Sequence, residues 1–268
     1  MASEGVELLV LVPALPLDST PNGVCTYARQ LLNVLKGDSA IRFHLVAKSR
    51  APGWQPAERE HAYYPPPRSL YNRVLMRVLG RAGHEKFMAW RFGAFLAARP
   101  AAAPRLIEME EAFGQSLLVQ RHAKVPVILR LHGPWFLVGA SQGVTQDGTF
   151  HERVRREGQA IYAADAVSAP SAFVLDAVEK YYAKPLRHKA VLPNPFPQYS
   201  PQQQWLAGAS DLVVFIGRFD RVKGADVFIE AMFLLAARRP GLHALFIGPD
   251  DGQISDTDGV ALTRVQFV

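Results

Sequence analysis

A single cysteine, Cys25, stands in a chain of 268 residues. No internal disulfide and no cysteine-built zinc site can form, which points to a reducing compartment. Long apolar runs are lacking as well, and none approaches the ~20 residues that span a bilayer. The start, MASEGVELLVLVPALPL, has no basic segment ahead of its apolar part and carries prolines inside it. It reads as a buried strand rather than a signal peptide. Charge of one sign is sparse. The formal net charge of +6 suits an anionic small molecule or an anionic surface and is too small to argue for nucleic acid. There is no G-x-G-x-x-G for a dinucleotide, no Walker A lysine loop, no internal repeat and no low-complexity tract. What the chain does have is core material. Hydrophobic residues make up 49% and charged residues 20%, which excludes global disorder. The length fits one large or two modest domains.

Short apolar runs alternate with helical patterns. Strands are expected at 6–12, 41–47, 105–109, 127–131, 166–169 and 189–192. Helices are expected at 23–37, 70–98, 114–122, 148–162 and 171–182. The run LPNPFPQYSPQQQWLAGAS breaks the rhythm and reads as a linker. The alternation then restarts, with strands at 212–216, 243–247 and 263–268 and a helix at 225–239. Alternation of this kind predicts an α/β protein of two Rossmann-like, doubly wound parallel sheets, the second incomplete. The expected division is 1–195, a linker at 196–210, and 211–268. Ligands are expected at the C-terminal ends of the strands.

The segment FIGRFDRVKGADVFIEAM places Arg218, Arg221 and Lys223 between an apolar strand and a helix start. Cations oppose the partial positive charge of a helix N-terminus, and Asp220 and Asp226 offset only part of this. An anion such as a phosphate would complete the balance, with Arg218 supplying a planar fork and Lys223 a point charge. In the first domain, STPNGVCTYARQLL puts Gly23 at the opening of a helix after the first strand, where backbone can approach a ligand closely. ILRLHGPWF puts His132 and Gly133 at the end of another buried strand, at the ligand edge of the sheet.

Taken together, the Gly23 loop, HG at 132–133, ADAVSAPSAFVLDAV at 164–178, VLPNPF at 191–196 and GRFDRVKG at 217–224 resemble the family 4 glycosyltransferases. The resemblance covers nearly the whole chain, and GRFDRVKG with the following ADVFIEAM is its most specific part. It implies the GT-B fold and a hexosyltransferase-like activity. A sugar would pass from a nucleotide-diphosphate donor to a carbohydrate or lipid-linked acceptor, with retention at the anomeric carbon and neither metal nor cofactor. Carried over by position, Arg218 and Lys223 would neutralise the donor diphosphate, where leaving-group charge develops. Gly23 would offer an amide to the same phosphates. His132 would sit beside the donor sugar, and Asn194 near the hinge. Glu108 and Glu111 would face the acceptor, or else lie as exposed acids in a loop. The resemblance also implies a Glu-x7-Glu segment further along, which does not occur before Val268. The expectation is a truncated chain, inactive or partner-dependent alone. The alternative is a non-catalytic, glycosyltransferase-like binding module or remnant.

Three further signals compete. GASQG at 139–143 matches the G-x-S-x-G of a serine hydrolase, with Ser141 as nucleophile and His188 or His243 as partners. The turn-like VTQDGTF after it does not supply the helix that such an elbow needs. DTD at 256–258 matches a metal-binding Asp-x-Asp but lies among turn residues and reads as a solvated loop. Arg73, Arg77 and Arg81 fall at i, i+4, i+8 beside Leu70, Val74, Val78 and Leu79. That stripe is either a solvated helix face or a contact with an anionic membrane or lipid-linked acceptor. The location expected is cytoplasmic, with peripheral membrane contact as an option and no nucleic acid partner.

Overall fold

The structure, a computed structural model, describes residues 5–19, 22–63, 70–99, 103–196, 211–248 and 262–265. Two compact units emerge, one of Met1–Phe136 with Gln146–Gln198 and one of Leu137–Thr145 with Tyr199–Val268. Most of the expected linker, and the DTD signal, lie outside the described residues.

The first unit is built on a seven-stranded sheet in which every pairing is parallel. Its strands are β1 (Val6–Leu15), β2 (Ile41–Arg50), β3 (Glu60–Ala62), β4 (Arg105–Glu110), β5 (Val127–Arg130), β6 (Ala166–Ala169) and β7 (Lys189–Val191). The spatial order is β3-β2-β1-β4-β5-β6-β7. Side chains alternate across a strand, so a sheet buried on both faces needs apolar residues at every position of its central strands. In β1, Leu9 and Leu11 join one core with Ile107, Met109, Leu129 and Phe92. Val10 and Val12 join the other, with Phe43, Leu45, Cys25 and Ala28. That two-sided burial is the doubly wound architecture.

Helix α1 (Gly23–Leu35) buries Val24, Cys25, Tyr27 and Ala28, and Cys25 and Ala28 join the second core. Helices α2 (Leu70–Ala97), α3 (Ser116–Ala123), α5 (Gly148–Ala163) and α6 (Ala172–Tyr182) follow the expected pattern. The start of α5 is fixed by Asp147, whose carboxylate accepts the Phe150 amide at 2.9 Å, the usual N-cap arrangement. One helix was not expected, α4 (Trp135–Ser141). It begins two residues after Gly133. Within α2, Gly80 takes φ 63°, ψ −177°, a conformation open only to glycine. The expected Arg73–Arg77–Arg81 stripe is corrected accordingly. The break at Gly80 falls between Arg77 and Arg81, so the three do not share one continuous helix. No described helix is long and apolar enough to cross a membrane.

The second unit holds a parallel sheet in the order β10-β9-β8, from β8 (Leu212–Ile216), β9 (His243–Ile247) and β10 (Leu262–Val265). Helix α7 (Ala225–Ala236) packs Ala225, Ile229 and Met232 against Phe219, Ala244 and Phe246. Val213 and Phe215 of β8 face this core. The alternate residues Leu212, Val214 and Ile216 are exposed, Ile216 by 78%.

Candidate functional site

The first strand delivers the chain to a short loop and then to α1. Asn22, extended at φ −146°, caps the helix with its side-chain oxygen on the Val24 amide at 2.8 Å. Gly23 is exposed, and a Cβ added there would meet nothing within 4 Å. Packing within the chain therefore does not demand glycine at this position. The open space lies over the first amides of a 13-residue helix that has no acidic residue in its first turn, a setting that favours an anion.

His132 stands just past β5, and its surroundings are built by residues that the sequence does not connect. The Glu111 carboxylate is 2% exposed and accepts the backbone amides of His132 at 3.0 Å and Gly133 at 2.7 Å. Burial pushes its carboxyl up to about 7, against the two amides, which favour the charged form. The His132 ring meets Tyr27 edge-on at 5.0 Å. Burial, and then the charge of Arg130, hold its imidazole down at about 4. At neutral pH it is an uncharged ring that donates one hydrogen bond and accepts another.

Beneath it, Tyr27 donates its hydroxyl to Glu108 at 2.8 Å. Burial raises the Glu108 carboxyl, while the tyrosine hydrogen bond and Arg130 oppose the rise. Arg130 is 1% exposed. It sits 4.8 Å over the Tyr27 ring and donates one Nη to the Asn194 side chain at 2.7 Å. Its Nε and other Nη have no partner in the described structure. The expectation for Glu108 and Glu111 is thus corrected. Neither is an exposed loop acid, because Glu108 lies within β4 and Glu111 is sealed against two amides. Each oxygen of Glu111 accepts one amide, and the side chain is buried rather than open to solvent. Asn194 is tied to the core of its own unit by Arg130.

A second buried carboxylate braces the same loops. Glu157 of α5, 1% exposed, accepts the amides of Phe113 at 3.0 Å and Trp135 at 2.7 Å, together with Arg153 Nε at 2.9 Å. The Arg153 guanidinium lies 3.9 Å from the Phe113 ring centre and 3.6 Å from that of Trp135. Phe113 itself takes φ 59°, a strained backbone for a bulky residue. Tyr27, Arg130 and Glu157 were not expected at the site. Arg130 had a visible signal, a lone charge inside the apolar run VILRL. The other two had none.

In the second unit, Arg218 and Lys223 both lie past the C-terminal end of β8. Asp220, 2% exposed, pairs with Arg218 at 2.9 Å and accepts the Lys223 amide at 2.9 Å. It thereby caps the 3-10 turn Arg221–Lys223 that leads through Gly224, φ 75°, into α7. The expectation that the cations lack a partner is corrected for Arg218, which has Asp220. Lys223 is exposed, and its amine has no partner among the described residues. Beside it, Gly217 and Gly248 end β8 and β9 at φ 152° and 144°, and a Cβ on Gly248 would fall 2.1 Å from the Gly217 carbonyl. The two strand ends therefore meet as bare backbone next to Lys223.

Ser141 does not form a nucleophile elbow. It is the last residue of α4 and donates its hydroxyl back to the Val138 carbonyl at 2.9 Å. A nucleophile elbow instead places serine between a strand and a helix.

No protein-family model matches this chain, and no curated protein matches it. Solved structures do. Trehalose-6-phosphate synthase, OtsA, is similar over 98% of this chain and 74% of its own, with TM-score 0.58 and 12% identity. UGT2 of Phytolacca americana, solved with UDP-2-fluoro-glucose and pterostilbene, is similar over 100% of this chain and 72% of its own, with TM-score 0.54 and 11% identity. UGT89C1 of Arabidopsis thaliana, solved with UDP, is similar over 98% and 71%, with TM-score 0.51 and 12% identity. The shared property is the fold, an α/β architecture of the GT-B glycosyltransferase type.

Proposed function

We propose that this chain binds a nucleotide-diphosphate sugar and transfers the sugar to an acceptor hydroxyl, with retention and without a metal. The observation that supports it most is the exposed Lys223 amine, without a partner among the described residues, at the C-terminal end of β8, beside two bare glycine strand ends and the start of α7. In the reaction, the bond from the anomeric carbon to the diphosphate oxygen breaks. The acceptor oxygen bonds to that carbon on the same face, and its proton leaves with the diphosphate. Negative charge grows on the diphosphate as the bond breaks, so cations there stabilise the transition state more than the ground state. Arg218 and Lys223 supply them. The neutral His132 ring orients the sugar through hydrogen bonds rather than through charge.

UDP, GDP and ADP titrations by calorimetry test this. Charge-assisted hydrogen bonds are each worth about 1.5–3 kcal/mol, so Lys223→Ala and Arg218→Ala should each weaken diphosphate binding by roughly 10–100-fold. Lys223→Ala should have the larger effect, because Asp220 already satisfies part of Arg218. Equal affinity in wild type and both variants would remove the anion site. The exposure of Val214 and Ile216 among the described residues favours a second reading, a nucleotide-binding module that needs a further segment or partner for turnover. Diphosphate binding without product from any donor would select it.

The membrane option belongs to the segment before Gly80. Leu70, Val74 and Val78 are exposed at helical spacing, and Arg73 and Arg77 are exposed beside them. Apolar side chains flanked by cations suit an anionic bilayer surface. Flotation with phosphatidylserine vesicles should recover the chain at low salt, and Arg73→Glu with Arg77→Glu should abolish recovery. No recovery of wild type at low salt ends this option.

A further inference from the structure

We propose that His44 and His61 form an acid-sensitive latch, which fastens the edge strand β3 to the sheet and to the end of α2 and releases it when both rings carry a proton. The latch lies beside the amino ends of β1 and β4, and it does not rest on the glycosyl-transfer proposal above.

Strand β3 has three residues and stands at the edge of the sheet. It pairs with β2 alone, through Leu45–Glu60, Val46–His61 and Ala47–Ala62. So short a ladder opens easily unless side chains hold it. Here they do. The His61 Nε2 lies 3.1 Å from the His44 Nδ1, and the two rings stack at 5.2 Å. The His61 ring also meets Phe95 of α2 at 5.8 Å. The His44 Nε2 faces Glu7 of β1 at 3.4 Å, with the two side chains only 15% and 12% exposed. Glu7 is ion-paired with Arg105 of β4 as well, and Arg105 donates to the Leu96 carbonyl near the end of α2 at 3.2 Å. One run of polar contacts thus joins four strands and a helix.

These contacts fix the protons. With the His44 Nε2–H toward Glu7, the His44 Nδ1 is an acceptor, and the His61 Nε2–H donates to it. Both rings are then neutral. A first added proton goes to the His61 Nδ1 and leaves the bond between the rings intact. A second must go to the His44 Nδ1. Two N–H groups on two cations then face each other at 3.1 Å, and attraction becomes repulsion. The surroundings favour the neutral pair. Burial is the largest cause that lowers both imidazoles, His61 to about 4. Arg42 of β2, Arg59 before β3 and Arg105 lower His44 further, and Arg99 after α2 lowers His61. Glu7 opposes them on both rings. Glu60 of β3 accepts the Ala57 amide at 3.3 Å instead, and Arg91 of α2 holds the Tyr63 carbonyl just past β3. A histidine lowered by folding contributes its full stability above 6.5 and loses it as pH falls toward 4. Release therefore belongs to that interval. A crevice of about 350 Å3, lined by both rings, Glu7 and Arg99, admits water to the pair. Once β3 leaves, β2 becomes the edge of the sheet.

Hydrogen–deuterium exchange of the full chain at about pH 7.5 and about pH 5, corrected for the pH dependence of intrinsic amide exchange, tests the latch. Two amides report on the β2/β3 pairing. Leu45 donates to the Arg59 carbonyl at 2.9 Å, and Tyr63 to the Ala47 carbonyl at 3.2 Å. Both should lose protection at least about tenfold at the lower pH. The Ile107 and Leu131 amides, bonded to the Pro126 and Ser168 carbonyls further into the sheet, should keep theirs. His61→Phe retains a ring and removes the proton site, so its Leu45 and Tyr63 protection should be equal at the two pH values. Arg99→Gln keeps the proposal testable if that variant does not fold. Arg99 is exposed, and its removal relieves one cation beside His61, so the loss at the lower pH should shrink about threefold. Unchanged Leu45 and Tyr63 protection in wild type overturns the latch. An equal loss at Ile107 and Leu131 overturns it too, because the whole unit then opens. So does a loss of full size in folded His61→Phe or in Arg99→Gln.

Discussion

Glu157→Ala is expected to destabilise the first unit by about 3–5 kcal/mol, the cost of removing one partner of a buried ion pair. Three donors lose their acceptor at once, the Phe113 amide, the Trp135 amide and Arg153 Nε. A buried amide left without a partner costs about 1–3 kcal/mol, so the two amides alone approach the lower bound. Arg153 loses less than a bare cation would, because its guanidinium stays stacked between the Phe113 and Trp135 rings. Phe113 adds to the penalty, because its left-handed backbone is held partly by the hydrogen bond that the substitution removes. Glu157→Gln keeps one acceptor and should fall between alanine and wild type. Glu152→Ala is the control, since that side chain is on the same helix, exposed and paired only with Arg155. Its unfolding midpoint should not move. Urea unfolding followed by circular dichroism reads all three. An alanine variant within about 1 kcal/mol of wild type would mean that solvent replaces the carboxylate at each donor.

The contrast between Glu157 and the strands around it shows what a sequence carries. Parallel strands buried on both faces leave an unbroken apolar signature, so β1, β2, β4 and β5 could be placed from their residues alone. Helix α5 could be placed too, because Asp147 and the apolar spacing of Phe150, Val154 and Ile161 act locally. Two elements were not legible. Strand β3 spans three residues and is held by pairing to β2, a contact that leaves no periodicity. Helix α4 spans seven residues, too few for its apolar run to separate helix from strand. Gly80 sat inside a continuous helical pattern, and only its backbone angles reveal the break. The site divides in the same way. Arg218, Lys223, Gly23 and His132 occupy strand ends and helix starts, positions that local patterns mark. The groups that hold them do not. Glu111 reaches His132 across 21 residues, and Glu157 reaches Phe113 across 44. Such pairs are set by which strands lie side by side, and no local spacing encodes that. Even Asp220, three residues from Lys223, was read as a partial offset of charge when it is both a cap and an ion-pair partner.

The second large effect concerns pH and Glu111. A carboxyl moved from 4.5 to about 7 by burial stabilises the fold below pH 4.5. It loses that contribution, about 3 kcal/mol, as pH rises through 7. His132 works in the opposite sense. Its imidazole is moved from 6.5 to about 4, so its contribution, again about 3 kcal/mol, is complete above pH 6.5 and is lost as pH falls toward 4. His61 and His44 are lowered as well and add to the rise with pH. Between pH 4.5 and 6.5 the Glu111 and His132 terms offset each other, so the remaining groups set the slope of the wild-type profile. Glu111→Gln resembles the protonated carboxyl at every pH and removes only the falling term. Across that range its stability should climb relative to that of wild type. The stability of the variant relative to wild type should therefore shift in the variant's favour by about 3 kcal/mol between pH 4.5 and pH 8. Glu108 and Glu110, also raised by burial, remain in both proteins and cancel in the difference. Urea unfolding of the pair at four pH values measures it. A difference independent of pH would mean that the His132 and Gly133 amides outweigh burial and keep Glu111 an ordinary carboxylate. Its place against those amides would stand, and the loop beneath the proposed sugar site would carry a full negative charge at neutral pH.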